Sequence, residues 1–116
     1  MTTEELKALP KVELHCHLDG SLSRGFIESR LGRTISPEEL QVSESCTSLV
    51  EYLEKFSLPG QCIMDEKGLE EAGYDVLKSM SFENVRYAEI RFAPLLSETS
   101  SLNCRSVIEA LLKGLK

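Results

Sequence analysis

The sequence contains no tryptophan, only two histidines and 6% aromatic residues. It also lacks long apolar runs. No segment approaches the roughly 20 apolar residues that a membrane-spanning helix needs. Residues 1–9 are charged and have no apolar core, unlike a secretory signal peptide. We therefore expect no membrane partner.

Basic residues are also scarce, since 13 lysines and arginines stand against 19 aspartates and glutamates, giving a net charge of −6. No basic cluster or basic helix face stands out, so we expect no nucleic acid partner. The four cysteines lie far apart and form no Cys-x-x-Cys pair, which excludes a zinc knuckle and a dithiol redox motif. Free thiols are typical of a reducing compartment, and we expect a cytoplasmic protein.

The chain does contain a regular succession of amphipathic segments within one domain-sized length of 116 residues. Caps, prolines and apolar periodicity predict the element boundaries. Helices are predicted at residues 3–8, at residues 21–31 with Ser21 as the cap, and from residues 36–39 onward. A further helix is predicted at residues 47–56 and is ended by Leu58-Pro59-Gly60. Two more are predicted after the Asp65 cap and over residues 107–115. Strands are predicted at residues 11–18 and 85–92.

This order of strand, helices, strand and helix is typical of a parallel α/β sheet. Parallel sheets are usually covered by helices on both faces, and two strands do not make a complete sheet. We therefore expect the 116 residues to be part of a larger protein or to be completed by a partner. The unpaired strand edges favour self-association of the chain.

His15-Cys16-His17, followed at once by Leu18-Asp19-Gly20, carries the strongest chemical signal. Side chains alternate along a strand, so His15, His17 and Asp19 share one face. Two imidazoles spaced in this way can bind one zinc or similar ion, although a polar strand face without metal is the alternative. The Asp-Gly turn signal places the pair at the carboxyl end of the strand, where parallel α/β proteins collect their active sites. The opposite face carries Leu14, Cys16 and Leu18, and we expect Cys16 to pack there rather than bind metal.

Two blocks of the sequence resemble the adenosine deaminase family. The run from Pro10 to Ser21, built around Val12-Glu13-Leu14-His15-Cys16-His17-Leu18-Asp19-Gly20-Ser21, is similar to the family's first barrel strand. The block Tyr87-Ala88-Glu89-Ile90-Arg91-Phe92-Ala93-Pro94-Leu95-Leu96 is similar to its second strand, at the expected distance. The resemblance implies an α/β fold that holds the first two βα units of a truncated (β/α)8 TIM-type barrel. Residues 1–116 would then be the amino-terminal part of a single metal-dependent hydrolase domain.

The resemblance also implies a chemistry, in which a zinc-activated water attacks C6 of adenosine to give inosine and ammonia. His15 and His17 would be zinc ligands, and Asp19 would hydrogen-bond a ribose hydroxyl of a purine nucleoside. The segment from Leu49 to Phe56 is similar to an apolar wall over the nucleoside, which nominates Tyr52, Leu53 and Phe56 for substrate binding, with plain core packing as the alternative. Adenine deaminases usually carry glutamate at the place of Asp19, so aspartate favours a nucleoside over adenine. Deamination of another aminopurine, adenine or a modified adenosine, remains the alternative substrate choice.

Charged residues also lie on the histidine faces of the two strands, nearer the amino-terminal floor of the implied barrel. They are Glu13, Glu89 and Arg91. Because a buried unpaired charge is costly, we predict a salt bridge between Glu13 and Arg91 across the neighbouring strands. A catalytic acid or base at Glu13 is disfavoured, since that end of a barrel usually serves stability.

The departures from the family matter as much as the matches. The family takes its third histidine ligand, its aspartate ligand, its catalytic glutamate and a further histidine from later strands, whereas this chain has two histidines in all. Catalytic zinc normally has three protein ligands or more. We therefore assign no catalytic residue within this chain and predict that it is inactive in isolation. A non-catalytic module, such as a dimer, is the rival hypothesis, and metal analysis of the purified chain separates the two.

Overall fold

In a computed structural model that describes all 116 residues, the chain forms two strands and six α-helices. The strands are β1 (Lys11–His17) and β2 (Val85–Arg91). The helices are α1 (Thr3–Ala8), α2 (Arg24–Leu31), α3 (Leu49–Glu54), α4 (Ser57–Gln61), α5 (Glu66–Ser81) and α6 (Cys104–Leu115), with 3₁₀ turns at Pro37–Glu39 and Pro94–Ser97. None of these helices combines the length and the apolar character needed to cross a membrane.

The two strands are hydrogen-bonded neighbours and run parallel. Their register places Glu13 beside Ala88, Cys16 beside Ile90 and His17 beside Arg91. The chain between the strands crosses over through four helices, as a parallel connection requires. The predicted α/β class with parallel strands is thereby confirmed.

Helices α5 and α6 cover one face of the strand pair and form the main core with it. Cys16 is 6% exposed and Leu18 is fully buried on that face, which confirms the packing role predicted for Cys16. Leu14, predicted on the same face, is 56% exposed, and the strand pairing is irregular between Glu13 and Cys16. The buried helix residues of this core are Leu69, Ala72, Val76, Val107, Ala110 and Leu111. Each large aliphatic side chain buried in this way contributes about 1.5–3 kcal/mol.

The helix predicted at residues 47–56 is shorter in the structure, as α3 (Leu49–Glu54). Two further predicted boundaries were wrong, each for a local reason. Ser23 rather than Ser21 caps α2, since its Oγ accepts the Phe26 N–H at 3.1 Å. Ser21 instead closes a turn, because its N–H donates to the Leu18 carbonyl at 3.2 Å. Pro59, predicted to end a helix, lies in the first turn of α4, where a residue without an N–H loses no helical hydrogen bond.

The predicted salt bridge between Glu13 and Arg91 is absent from the ion pairs of the chain, so that prediction was wrong. The register explains the failure, because it places Arg91 beside His17, four residues further along β1 than Glu13. Arg91 therefore lies at the carboxyl end of the sheet rather than at its floor. The Glu13 carboxylate accepts the backbone N–H of His15 at 3.1 Å instead.

Candidate functional site

His15 and His17 project together from the carboxyl end of β1. Their Nε2 atoms lie 2.8 Å apart, and the tilted rings have centroids 4.7 Å apart. At this separation an Nε2–H of one ring can donate to the Nε2 lone pair of the other. Both side chains are exposed. Two imidazole nitrogens thus converge on one point in front of the strand.

The face that carries the histidines is uncovered, because the helices pack on the opposite side of the sheet. Arg91 is the strand neighbour of His17 and forms no ion pair within the chain. The Glu89 carboxylate on the same face accepts the Tyr87 hydroxyl at 3.3 Å. The open face is therefore polar and holds two imidazoles beside charges of both signs.

The donor chemistry of this pair fits zinc, since neutral imidazole nitrogen is one of its preferred ligands. Two donors are too few for a complete zinc site. No group of three or more His, Cys, Asp or Glu side chains in the 116 residues is arranged to hold a metal ion. Asp19, which alternation places on the histidine face, lies beyond the strand in the following turn. The residues present thus fit two positions of a larger ligand shell.

Asp19 borders a cavity of about 300 Å³ together with Tyr52 and Phe56. This volume is at the lower end of the range for small-molecule sites. A second cavity of about 160 Å³ adjoins the same turn and is bordered by Asp19, Phe56 and residues that follow β2, including Phe92. Asp19 and Phe56 thus separate two small cavities at the carboxyl end of the sheet.

Gly20 allows the Phe56 ring to lie against the Asp19 turn. A Cβ at position 20 would lie 3.1 Å from Cε1 of Phe56, tighter than most such contacts. The Tyr52 ring meets Phe56 edge to face, with ring centroids 5.5 Å apart. Edge-to-face aromatic pairs add about 0.5–1.5 kcal/mol beyond their buried area. These contacts dock the α3–α4 segment onto the end of β1.

The structure brings together three of the four residues predicted to bind substrate. Asp19, Tyr52 and Phe56 border the same cavity, whereas Leu53 does not and is 52% exposed. Sequence reasoning missed Lys55, which lines the cavity and donates from Nζ to the Glu38 carbonyl at 2.9 Å. No local pattern marks Lys55, because its partner lies 17 residues earlier in the chain.

The turn that carries Asp19 is held at both ends. The Leu18 N–H donates to the Arg91 carbonyl at 2.9 Å, which extends the strand pairing by one residue. At the other end, the Asp75 carboxylate on α5 accepts both the Ser23 N–H at 2.8 Å and the Ser23 hydroxyl at 2.6 Å. Asp75 therefore positions the start of α2 and, through it, the Asp19 turn.

Two side chains near this site, Glu39 and Cys62, have shifted pKa values. The hydrogen bond from Arg33 lowers the pKa of the exposed Glu39 carboxyl, and the Ser36 N–H acts in the same direction. Burial raises the pKa of the Cys62 thiol, against a smaller opposing effect of Arg30. Cys62 packs with Ile27 and Ile35 in a second small core. The Cys62 thiol therefore serves as a packing group in this core.

Comparison with known proteins covers nearly the whole chain. The family model described as adenosine deaminase matches residues 10–116. An adenosine deaminase of Clostridium botulinum (strain 657) is 38% identical over 120 residues, which span 95% of this chain and 36% of that protein. An adenosine deaminase of Clostridium perfringens (strain SM101) is 40% identical over 118 residues, spanning 93% of this chain and 36% of the relative. The chain thus spans about a third of the length of these relatives.

Solved structures of a deaminase and of an amidohydrolase also match this chain. The Arabidopsis N6-mAMP deaminase aligns with a TM-score of 0.75 and 29% identity over 97% of this chain and 36% of its own. An amidohydrolase from Burkholderia ambifaria, crystallised with bound Zn, aligns with a TM-score of 0.71 over 98% of this chain and 34% of its own, and at 22% identity it supports the fold alone. The fold is that of the first two βα units of a (β/α)8 barrel. The chain belongs to the adenosine deaminase family.

Proposed function

We propose that this chain supplies the first two barrel strands of an adenosine deaminase-type hydrolase, with His15 and His17 as two of its zinc ligands. The observation that carries the proposal is the convergence of the two Nε2 atoms, 2.8 Å apart, at the carboxyl end of β1. Barrel active sites are built at that end. Zinc bound there would supply a water of lowered pKa, a nucleophile at neutral pH.

The neighbouring residues of this chain bind and orient the purine nucleoside. The Asp19 carboxylate accepts a hydrogen bond from a ribose hydroxyl at the floor of the cavity. Tyr52 and Phe56 line the same cavity, and their rings exclude water from one side of the nucleoside. Leu53 does not border the cavity, so its proposed contact with the nucleoside requires a movement of α3.

A modified adenosine monophosphate is the second candidate substrate, because the Arabidopsis N6-mAMP deaminase is a close structural match. Two features of this chain favour an uncharged nucleoside instead. Asp19 places a carboxylate in the cavity, where the Lys55 ammonium is engaged by the Glu38 carbonyl. The chain also carries a net charge of −6, and both features oppose a phosphate dianion. Identity is also higher to the adenosine deaminases of Clostridium, at 38–40% against 29%.

A chimeric enzyme tests the proposal. Residues 10–116 replace the matching segment of the Clostridium botulinum adenosine deaminase, which supplies the rest of the barrel. We expect the chimera to deaminate adenosine in preference to N6-methyl-AMP. The His15→Ala and His17→Ala variants should lose more than about 100-fold in kcat/KM, since even groups that only orient metal ligands are worth 10–100-fold.

A substitution at Asp19 tests the proposed contact with the ribose separately from the zinc site. Asp19→Ala should raise KM for adenosine, because it removes the carboxylate proposed to accept the ribose hydroxyl. The Cys46→Ser variant, changed at a half-exposed thiol outside the cavity, is the matched control. A chimera that folds and binds zinc but deaminates neither adenosine nor N6-methyl-AMP contradicts the proposal.

A further inference from the structure

We propose that Ser97 determines substrate specificity in the nucleoside site, where its hydroxyl hydrogen-bonds a hydroxyl of the ribose. The inference rests on the proposed function, because it takes the nucleoside to be bound at Asp19. It goes further by assigning a second polar contact to the sugar, from a residue that follows β2.

Ser97 carries the only buried polar side chain of the chain, with 1% of its surface exposed. It ends the 3₁₀ turn Pro94–Ser97, which follows β2 at the end of the sheet where barrel active sites are built. A hydroxyl withdrawn from water is costly unless it has a hydrogen-bond partner. A buried serine at this position therefore needs a partner.

The Ser97 hydroxyl has no such partner within the chain. Every fully enclosed side-chain nitrogen or oxygen does have one, so the Ser97 hydroxyl is not fully enclosed. The space that it reaches is the cavity of about 160 Å³ that Ser97 lines. Asp19 carries the only other polar side chain among the eight residues around this cavity. A ligand group that enters it meets one hydroxyl and one carboxylate between apolar walls.

The size of this cavity fits part of a ligand rather than a whole one. Small-molecule sites usually measure about 300–1,000 Å³, whereas one water takes about 30 Å³. Asp19 borders both this cavity and the larger one of about 300 Å³. A ribose held at Asp19 can therefore present hydroxyls to both cavities, and Ser97 is the group that meets them in the smaller one.

The segment that carries Ser97 is held in place by contacts within the chain. The Glu98 carboxylate accepts the N–H of Cys104, the first residue of α6, at 2.7 Å. The backbones of Thr99 and Leu102 pair in both directions, at 3.0 and 3.3 Å. The position of Ser97 is thus set before a ligand binds, which lowers the entropic cost of the contact. A site built in this way favours a sugar that carries the matching hydroxyl over one that lacks it.

Urea denaturation of the purified 116-residue chain separates this role from a structural one. A hydroxyl that holds a buried structural water contributes to stability, whereas one that awaits a ligand does not. We therefore expect the denaturation midpoint of Ser97→Ala to equal or exceed that of the wild type. Ser100→Ala is the matched control, because Ser100 is exposed in the following turn and lines neither cavity. A midpoint of Ser97→Ala below that of both reference proteins overturns the inference.

The chimeric enzyme described above measures the contact with the ribose. Ser97→Ala should raise KM for adenosine about 2- to 10-fold, the equivalent of one hydrogen bond, with kcat unchanged. The same variant should leave KM unchanged for one of 2′-, 3′- and 5′-deoxyadenosine, which identifies the hydroxyl that Ser97 binds. The Ser100→Ala chimera should match the unsubstituted chimera with all four nucleosides.

The outcomes distinguish this inference from the proposed function. Equal KM values for adenosine with and without Ser97→Ala overturn the ribose contact and leave the proposed function intact. A rise of KM by the same factor for adenosine and all three deoxyadenosines also overturns it, because the lost contact is then not with a ribose hydroxyl. A chimera that folds and binds zinc but does not deaminate adenosine overturns this inference together with the proposed substrate.

Discussion

At the scale of single residues, the surroundings of Asp19 decide what the His15-Cys16-His17 motif can do. Alternation along a strand would keep Asp19 beside the histidines, but the chain turns after Leu18. Phe56 and Gly20 then hold the carboxylate at a cavity rather than beside the imidazoles. The proposed metal ligands and the proposed nucleoside contact are thus separated by a single turn.

Asp75 helps to fix the position of that turn through its two hydrogen bonds from Ser23. Asp75→Ala leaves the Ser23 N–H and hydroxyl without their acceptor, and we expect the free energy of unfolding to fall by about 1–3 kcal/mol. Asp75→Asn keeps one acceptor oxygen and should cost less. Urea denaturation measures both values, with Glu109→Ala as the control, since its exposed pair with Arg105 is worth no more than about 0.5 kcal/mol. Equal stability of Asp75→Ala and the wild type would contradict a stabilising role for the hydrogen bonds between Asp75 and Ser23.

Cys62 makes stability depend on pH in the alkaline range. Burial raises the pKa of its thiol above the ordinary value of 9.0, so the unfolded chain loses this proton first as the pH rises. The stabilising contribution is therefore complete below pH 9.0 and is lost as the pH rises through the folded-state pKa. Denaturant titrations from pH 8 to pH 11 should show a smaller loss of stability for Cys62→Ala than for the wild type. The Cys46→Ala control should keep the wild-type slope, and identical slopes for all three proteins would refute the effect.

At the scale of elements, the contact between α5 and α6 is unusually close because glycines form part of it. A Cβ at Gly114 would collide with the Glu70 carbonyl oxygen, and one at Gly73 would lie 3.0 Å from the Leu111 carbonyl oxygen. Glycine is thus required for close approach of the two helices. This packing seals the helix side of the sheet and leaves the histidine side open.

Alanine substitutions measure the closeness of this contact. We expect Gly114→Ala to destabilise the chain by about 1–3 kcal/mol, because the clash is with backbone that cannot move aside. Gly73→Ala should cost less, since its contacts are longer. Gly25→Ala in α2 is the matched control, because nothing lies within 4 Å of its Cβ, and it should be neutral or stabilise by up to about 1 kcal/mol. Thermal unfolding of the three variants in the reverse order would show that the helices do not pack in this way.

The long periodic helix α5 was predicted more accurately than the elements whose ends depend on turns. The Asp65 cap and the apolar stripe of α5 fixed that helix, and strand alternation fixed the buried side of β1. The cap of α2 was misplaced because two serines near its start are equivalent in sequence. Only the turn that uses the Ser21 N–H leaves Ser23 to cap the helix.

At the scale of the whole molecule, the strand pair is covered on one face only. The chain spans 36% of its Clostridium relatives, and the side of the sheet that carries the histidines is open. Only two imidazoles lie at this end of the sheet, with no third protein ligand beside them. The chemistry proposed for the family site therefore needs groups from outside these 116 residues.

The small number of metal ligands in this chain leads to a prediction about its activity in isolation. We expect no deamination of adenosine by the 116-residue chain, with or without saturating zinc, because two ligands neither hold a catalytic ion firmly nor supply a proton donor. The ultraviolet absorbance change of adenosine gives the measurement, with the chimeric enzyme as the positive control. Turnover by the purified chain that disappears in the His15→Ala variant would contradict this expectation.

The sequence by itself determined which side chains share a face, because alternation along a strand and periodicity along a helix are local properties of the backbone. It therefore predicted the histidine pair, the packing of Cys16 and the α/β order of elements. Only the tertiary structure decided that His17 lies beside Arg91 and that Glu13 does not. It also decided that Ser23 meets Asp75, 52 residues away, and that Phe56 closes on Gly20. These pairings depend on strand register and on the closure of long loops, which a one-residue shift would change without altering any local pattern.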